Sequence, residues 1–139
     1  MMERIKTLLL LMMLALPLAV SACGEGEQTV SGYENTSIEH AYAHWKQGKD
    51  SPIPFVFLDV RTPKEYAAGH VPDAVNIPVQ QLQQRLSEVP KGKRLYVYCE
   101  SGVRAGKASK MLVNAGFGSV ENVPASMRGW RAAGYPVEK

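Results

Sequence analysis

The sequence predicts an α/β domain in which a parallel sheet is covered by helices on both faces. Three observations lead to that class. Apolar runs at residues 54–60 (PFVFLDV), 95–98 (LYVY) and 120–123 (VENV), with a shorter one at 74–77 (AVNI), have the length of buried strands rather than helices. The segments between them carry apolar residues at helical spacing. Glycine or proline marks most of the junctions, and strands alternating with helices call for parallel pairing.

The N-terminus carries Arg4 and Lys6 against Glu3, followed by an uncharged run at residues 7–20. That run is shorter than the roughly 20 residues of a membrane span and suits the core of a signal peptide. It ends in Val20-Ser21-Ala22-Cys23, which resembles the bacterial lipobox. The resemblance implies that Cys23 is lipidated and becomes the new N-terminus, anchoring the chain at the cell envelope and facing the periplasm. Gly24, rather than aspartate, points to the outer membrane. The expected organisation is a lipoprotein signal peptide at 1–22, a flexible polar tether at 23–35 and one domain at 36–139. The charge balance is 16 Lys+Arg against 13 Asp+Glu, with no basic block, which argues against nucleic acid as a partner.

Along the domain, Thr36 and Glu39 have the spacing of a capping box, and Ile38, Tyr42 and Trp45 recur on one helix face up to Gly48. Thr62 and Glu65 repeat that pattern with Pro63 at the first helical position, for a short helix reaching Ala68 and stopping at Gly69. Leu82, Leu86 and Val89 mark a helix ending before Pro90. Ala105, Ala108, Met111, Leu112 and Ala115 trace the face of another, stopped by Gly116. A final helical turn or two is expected at residues 128–133, with Gly134 as its cap.

Cys99 is the candidate catalytic residue. It closes the strand at 95–98 and opens a loop, Glu100-Ser101-Gly102-Val103-Arg104-Ala105, that leads into a helix. Backbone N–H groups and the positive end of a helix converge in such a place and favour the nucleophilic thiolate. Gly102 permits a tight curl of the loop. Arg104 supplies a permanent cation suited to an oxyanion. Asp59 and Arg61 read as a hydrogen-bonded pair that orders the strand end, and His70 as a residue that ties a turn. His40 and His44 stand four apart with no third ligand nearby, so they read as a solvated helix face and no metal is expected. Trp45, Trp130 and the tyrosines read as packing.

The motifs DVRTPKEY at 59–66, GHVPDAVNIP at 69–78, CESGVR at 99–104 and WRAAGYPVE at 130–138 together resemble those of rhodanese domains. The resemblance spans residues 37 to 138. It implies a rhodanese-like fold with a five-stranded parallel sheet, whose fifth strand falls near residues 31–33. It also implies sulfur transfer through a persulfide on Cys99, with residues 100–105 binding the donor and no cofactor. Four positions depart from the family pattern. Ala125 and Ser126 stand where two glycines are frequent, and Asp73 where one is common. Glu100 occupies a place that is basic in some members, which sets a negative charge near the anion site. The loop also lacks the Cys-Gly-x-Gly-x-Thr pattern linked to mercaptopyruvate.

The activity so implied takes a thiosulfate-like anion as donor and a thiol or cyanide as acceptor. A phosphatase of related fold would need arginine six residues after the cysteine, where this chain has Ala105. The alternative from another class is a non-catalytic sulfide or persulfide carrier, or a docking module at the envelope.

Overall fold

The computed structural model describes Glu27–Gln28 and residues 32–139. Strands β1 (Glu27–Gln28), β2 (Glu34–Asn35), β3 (Phe55–Asp59), β4 (Val75–Asn76), β5 (Arg94–Tyr98) and β6 (Val120–Asn122) form one sheet in the order β1-β2-β6-β5-β3-β4. Five strands, β2 to β6, are mutually parallel, and β1 adds an antiparallel edge to β2. The helices are α1 (Ile38–Gln47), α2 (Pro63–Ala68), α3 (Val79–Leu82), α4 (Val103–Asn114) and α5 (Ser126–Ala132).

The two-residue period of a strand sorts the core into two chemically different halves. Val56, Leu58, Leu95 and Val97 face the side of α3 and α4, where Leu82, Ala105, Ala108 and Leu112 complete an aliphatic layer that also contains Cys99. Phe57, Tyr96 and Tyr98 face the side of α1 and α5, against Ile38, Ala41, Met127 and Trp130. This second layer is aromatic: Phe57 stacks on Tyr96 with centroids 5.0 Å apart, and Trp130 meets Phe57 edge-on at 5.6 Å.

Several local expectations shift. The fifth parallel strand is Glu34–Asn35 rather than 31–33, so the sheet takes in two segments that polar composition assigns to the tether. Helix α1 is capped by Ser37, whose Oγ accepts from the His40 N–H. Thr36 cannot serve, because its N–H still belongs to the sheet and donates to the Asn122 carbonyl. The helix expected from Leu82 to Val89 is instead α3 followed by a 3₁₀ turn at Leu86–Glu88, since Arg85 leaves helical angles (ψ 21°) and Val89 is extended before Pro90. The capping box on α2 forms in full, Thr62 and Glu65 each accepting the other's backbone N–H. Cys23, expected to be lipidated, and the segment expected to be a signal peptide lie outside the described residues.

Candidate active site

Parallel pairing brings the carboxyl ends of β3 and β5 side by side, with Asp59 opposite Tyr98. Cys99 follows directly and is 1% exposed. The chain then turns sharply through Gly102 (φ 99°) into α4. A Cβ at residue 102 would run into the carbonyl oxygen of Pro124, so both the backbone angle and the close approach require glycine. The turn directs the Gly102 N–H at the Cys99 Sγ, 3.0 Å away.

A second segment closes on the cysteine from β6 and α5. The Cys99 N–H donates to Ser126 Oγ at 3.1 Å, and the Met127 N–H donates to the Cys99 carbonyl at 2.9 Å. Ser126 Oγ in turn donates to the Val123 carbonyl at 2.8 Å and lies 3.8 Å from Cys99 Sγ. Ser126 holds φ 52° and Asp73 holds φ 65°, which explains glycine's frequency at both places in the family pattern.

Two arginine systems flank the loop. Arg104 forms a fork on Glu65, with both guanidinium nitrogens 2.8 Å from a carboxylate oxygen. That contact, foremost, pulls the Glu65 carboxyl down to about 2 and, with a smaller contribution from Cys99, raises Arg104. Arg61 is buried beneath the loop and binds Asp59 through Nε and Nη2, the Gly69 carbonyl at 2.7 Å and Glu100 at 3.3 Å. Burial opposes its charge, but the Asp59 carboxylate outweighs burial and raises the guanidinium overall. Glu100 also receives Arg131 from α5 at 2.7 Å, and Arg131 above all lowers its carboxyl. The negative charge of Glu100 is therefore matched by two cations rather than left bare.

The structure brings Cys99, Glu100, Gly102, Arg104, Asp59 and Arg61 together at one end of the sheet. Ser101 is exposed on the loop and Val103, the first residue of α4, is 80% exposed, while Ala105 is buried in the aliphatic layer. His70 stacks on Tyr66 and its Nδ1 meets the Tyr66 carbonyl at 2.8 Å, and its backbone bridges to Glu138, as a turn-tying residue should. His44 departs from expectation. It is buried at the other side of the sheet, bonded to Tyr96 Oη at 2.8 Å and Ser51 Oγ at 2.6 Å, and desolvation lowers its pKa. Only His40 lies on the solvated face. Among the described residues no group of three His, Cys, Asp or Glu stands close enough to hold a metal ion. Sequence reasoning missed Ser126 and Arg131 as neighbours of the site and Glu65 as the partner of Arg104. The glycine-to-serine departure was the one signal that pointed at Ser126.

Residues 37–133 match the Rhodanese-like domain family. The chain belongs to that family. The rhodanese-like domain is 37% identical over 82 residues to a sulfurtransferase of Allochromatium vinosum, covering 59% of this chain and 77% of the relative. It is 36% identical over 86 residues to the putative sulfur carrier protein YrkF of Bacillus subtilis, covering 62% of this chain but 46% of that protein. Among solved structures, a rhodanese-related protein of Thermoplasma volcanium superimposes with TM-score 0.67 at 27% identity, over 76% of this chain and 98% of its own. Family and relatives together support sulfur transfer as the broad chemistry of this rhodanese-like domain.

Proposed function

We propose that this chain is a sulfurtransferase of the thiosulfate:cyanide type, carrying the transferred sulfur as a persulfide on Cys99. The observation that carries this reading is the Gly102 N–H aimed at Sγ at the mouth of α4. An amide donor and a helix N-terminus stabilise an anionic sulfur without occupying the space an incoming donor needs.

In the first step the Cys99 thiolate attacks the outer sulfur of thiosulfate. A Cys99 S–S bond forms, the S–S bond of thiosulfate breaks, and its electron pair leaves with sulfite. In the second step cyanide attacks the outer sulfur of the persulfide. Thiocyanate departs and the thiolate returns, with no proton gained or lost over the cycle. Arg104 orients the anion by exchanging part of its hold on Glu65 for the donor's oxygens. This is covalent catalysis in two steps.

The test is thiocyanate formation from thiosulfate and cyanide. Wild-type turnover that disappears in Cys99→Ser supports the enzyme. Equal near-zero rates in both, with a persulfide on Cys99 passed to a protein thiol, would support the carrier reading that the likeness to YrkF favours. A lipid anchor on Cys23 at the envelope completes the proposal. The full chain should then partition with membranes in a bacterial host, and Cys23→Ser should release it.

A further inference from the structure

We propose that Ser126 is a positioning residue for Cys99, its hydroxyl fixing the cysteine's backbone and standing as a second donor to the sulfur. Three observations meet at this side chain. It is 1% exposed, so its polar atom was taken out of water for a local purpose. Its φ of 52° is one that a side chain adopts at a cost and glycine adopts freely. Its Oγ accepts the Cys99 N–H at 3.1 Å, donates to the Val123 carbonyl at 2.8 Å, and lies 3.8 Å from Sγ. Glycine would hold this backbone with less strain but would leave the buried Cys99 N–H without its acceptor, so the strain is kept for the hydroxyl.

The hydroxyl has one proton and two acceptors within reach. With the sulfur in its resting place, the proton goes to Val123, the nearer oxygen. A small rotation about the side chain turns it to Sγ, which the Gly102 N–H already meets at 3.0 Å. The sulfur is then held between two donors as it gains or loses its outer atom. Asp73 provides an internal control. It too has positive φ at a place where glycine is common, yet it is exposed, and the bond its N–H makes is to Glu138 at 3.3 Å.

The experiment compares Ser126→Gly, Ser126→Ala and Asp73→Gly in the full chain. Both Ser126 variants lose the hydroxyl, but glycine relieves the backbone and alanine does not, so Ser126→Gly melts above Ser126→Ala. If the hydroxyl matters, kcat for thiocyanate formation falls in both by about fivefold, the factor one hydrogen bond of ordinary strength supplies. The apparent KM for thiosulfate stays put, and Asp73→Gly keeps the wild-type kcat. Alkylation of Cys99 by iodoacetamide, followed on the peptide that contains it, slows alike in both Ser126 variants. Wild-type rates in Ser126→Gly, or rates that follow the melting order, overturn the assignment. The turnover arm rests on the function proposed above, whereas alkylation does not. A wild-type chain that makes no thiocyanate would therefore refute that function while alkylation still decides the role of Ser126.

Discussion

Arg61 and Arg104 each grip a carboxylate with a forked guanidinium, yet they answer to different physics. Arg61 and Asp59 are 1% and 0% exposed, two residues apart, and tie into the Gly69 carbonyl and the Glu100 side chain. Arg104 and Glu65 are 30% and 33% exposed, 39 residues apart, and stand at the mouth of the Cys99 loop. The first pair lies in a medium where a lone charge is intolerable, so it fixes the floor under the loop. The second is wet enough to open and close, so it holds a cation ready without locking it away. The same chemistry gives a buried structural pair in one place and, on the function proposed, a binding part in the other, and burial makes the difference.

The sharpest way to break this comparison is to remove Arg61. Arg61→Met strands the Asp59 carboxylate in the core and should lower stability by about 3–5 kcal/mol, read as a shift of the urea midpoint. A loss below about 1 kcal/mol would mean that Asp59 is not buried as described. Arg104→Ala comes next, with the opposite balance. Stability should change by less than about 1 kcal/mol, while the apparent KM for thiosulfate rises about tenfold, the effect of one lost charge-assisted contact. A stability loss as large as that of Arg61→Met, with KM unchanged, would erase the distinction between the pairs.

The Glu65 carboxyl sharpens it further through pH. Its folded pKa is depressed from 4.5 to about 2, chiefly by Arg104. A depressed carboxyl contributes stability that is complete above its unfolded pKa and is lost as pH falls through the folded one. The contribution, about 1 kcal/mol after screening by solvent, should therefore fade between pH 4.5 and 2. The gap in urea midpoint between wild type and Glu65→Gln measures it; a gap constant across that window would remove Arg104 as its cause. The smallest expected effect belongs to Glu100→Gln. Releasing Arg131 and Arg61 from its charge should lower the apparent KM for thiosulfate about twofold at low salt, with less effect once ions screen the site. A rise in KM would show that Glu100 organises the loop rather than repelling the donor.

What could be seen in the sequence follows how local each feature is. The apolar runs of β3 and β5, the Thr62–Glu65 box on α2 and the Asp59–Arg61 pair involve neighbours in the chain, and all were legible. Cys99 at the end of a strand was legible for the same reason. The partnership of Arg104 with Glu65 was not, because only the parallel crossing of β3 and β5 joins residues 39 positions apart. His44 lies near the end of α1, and helical spacing alone gave no hint that Tyr96 and Ser51 would enclose it. The α1 cap moved from Thr36 to Ser37 because β6 claimed the Thr36 amide, a contact 86 residues away. Ser126 shows a middle case. The departure from glycine was visible, but its consequence needed the 3.1 Å approach to Cys99.

For Cys99 to carry sulfur, the donor must reach a residue that is only 1% exposed. Mass spectrometry of the protein after treatment with thiosulfate, followed by peptide mapping, tests this most directly. One added sulfur atom on the peptide containing Cys99, removed by cyanide and absent in Cys99→Ser, is the predicted result. An unmodified Cys99 peptide under conditions where an accessible thiol is alkylated, or sulfur that persists in Cys99→Ser, would contradict it.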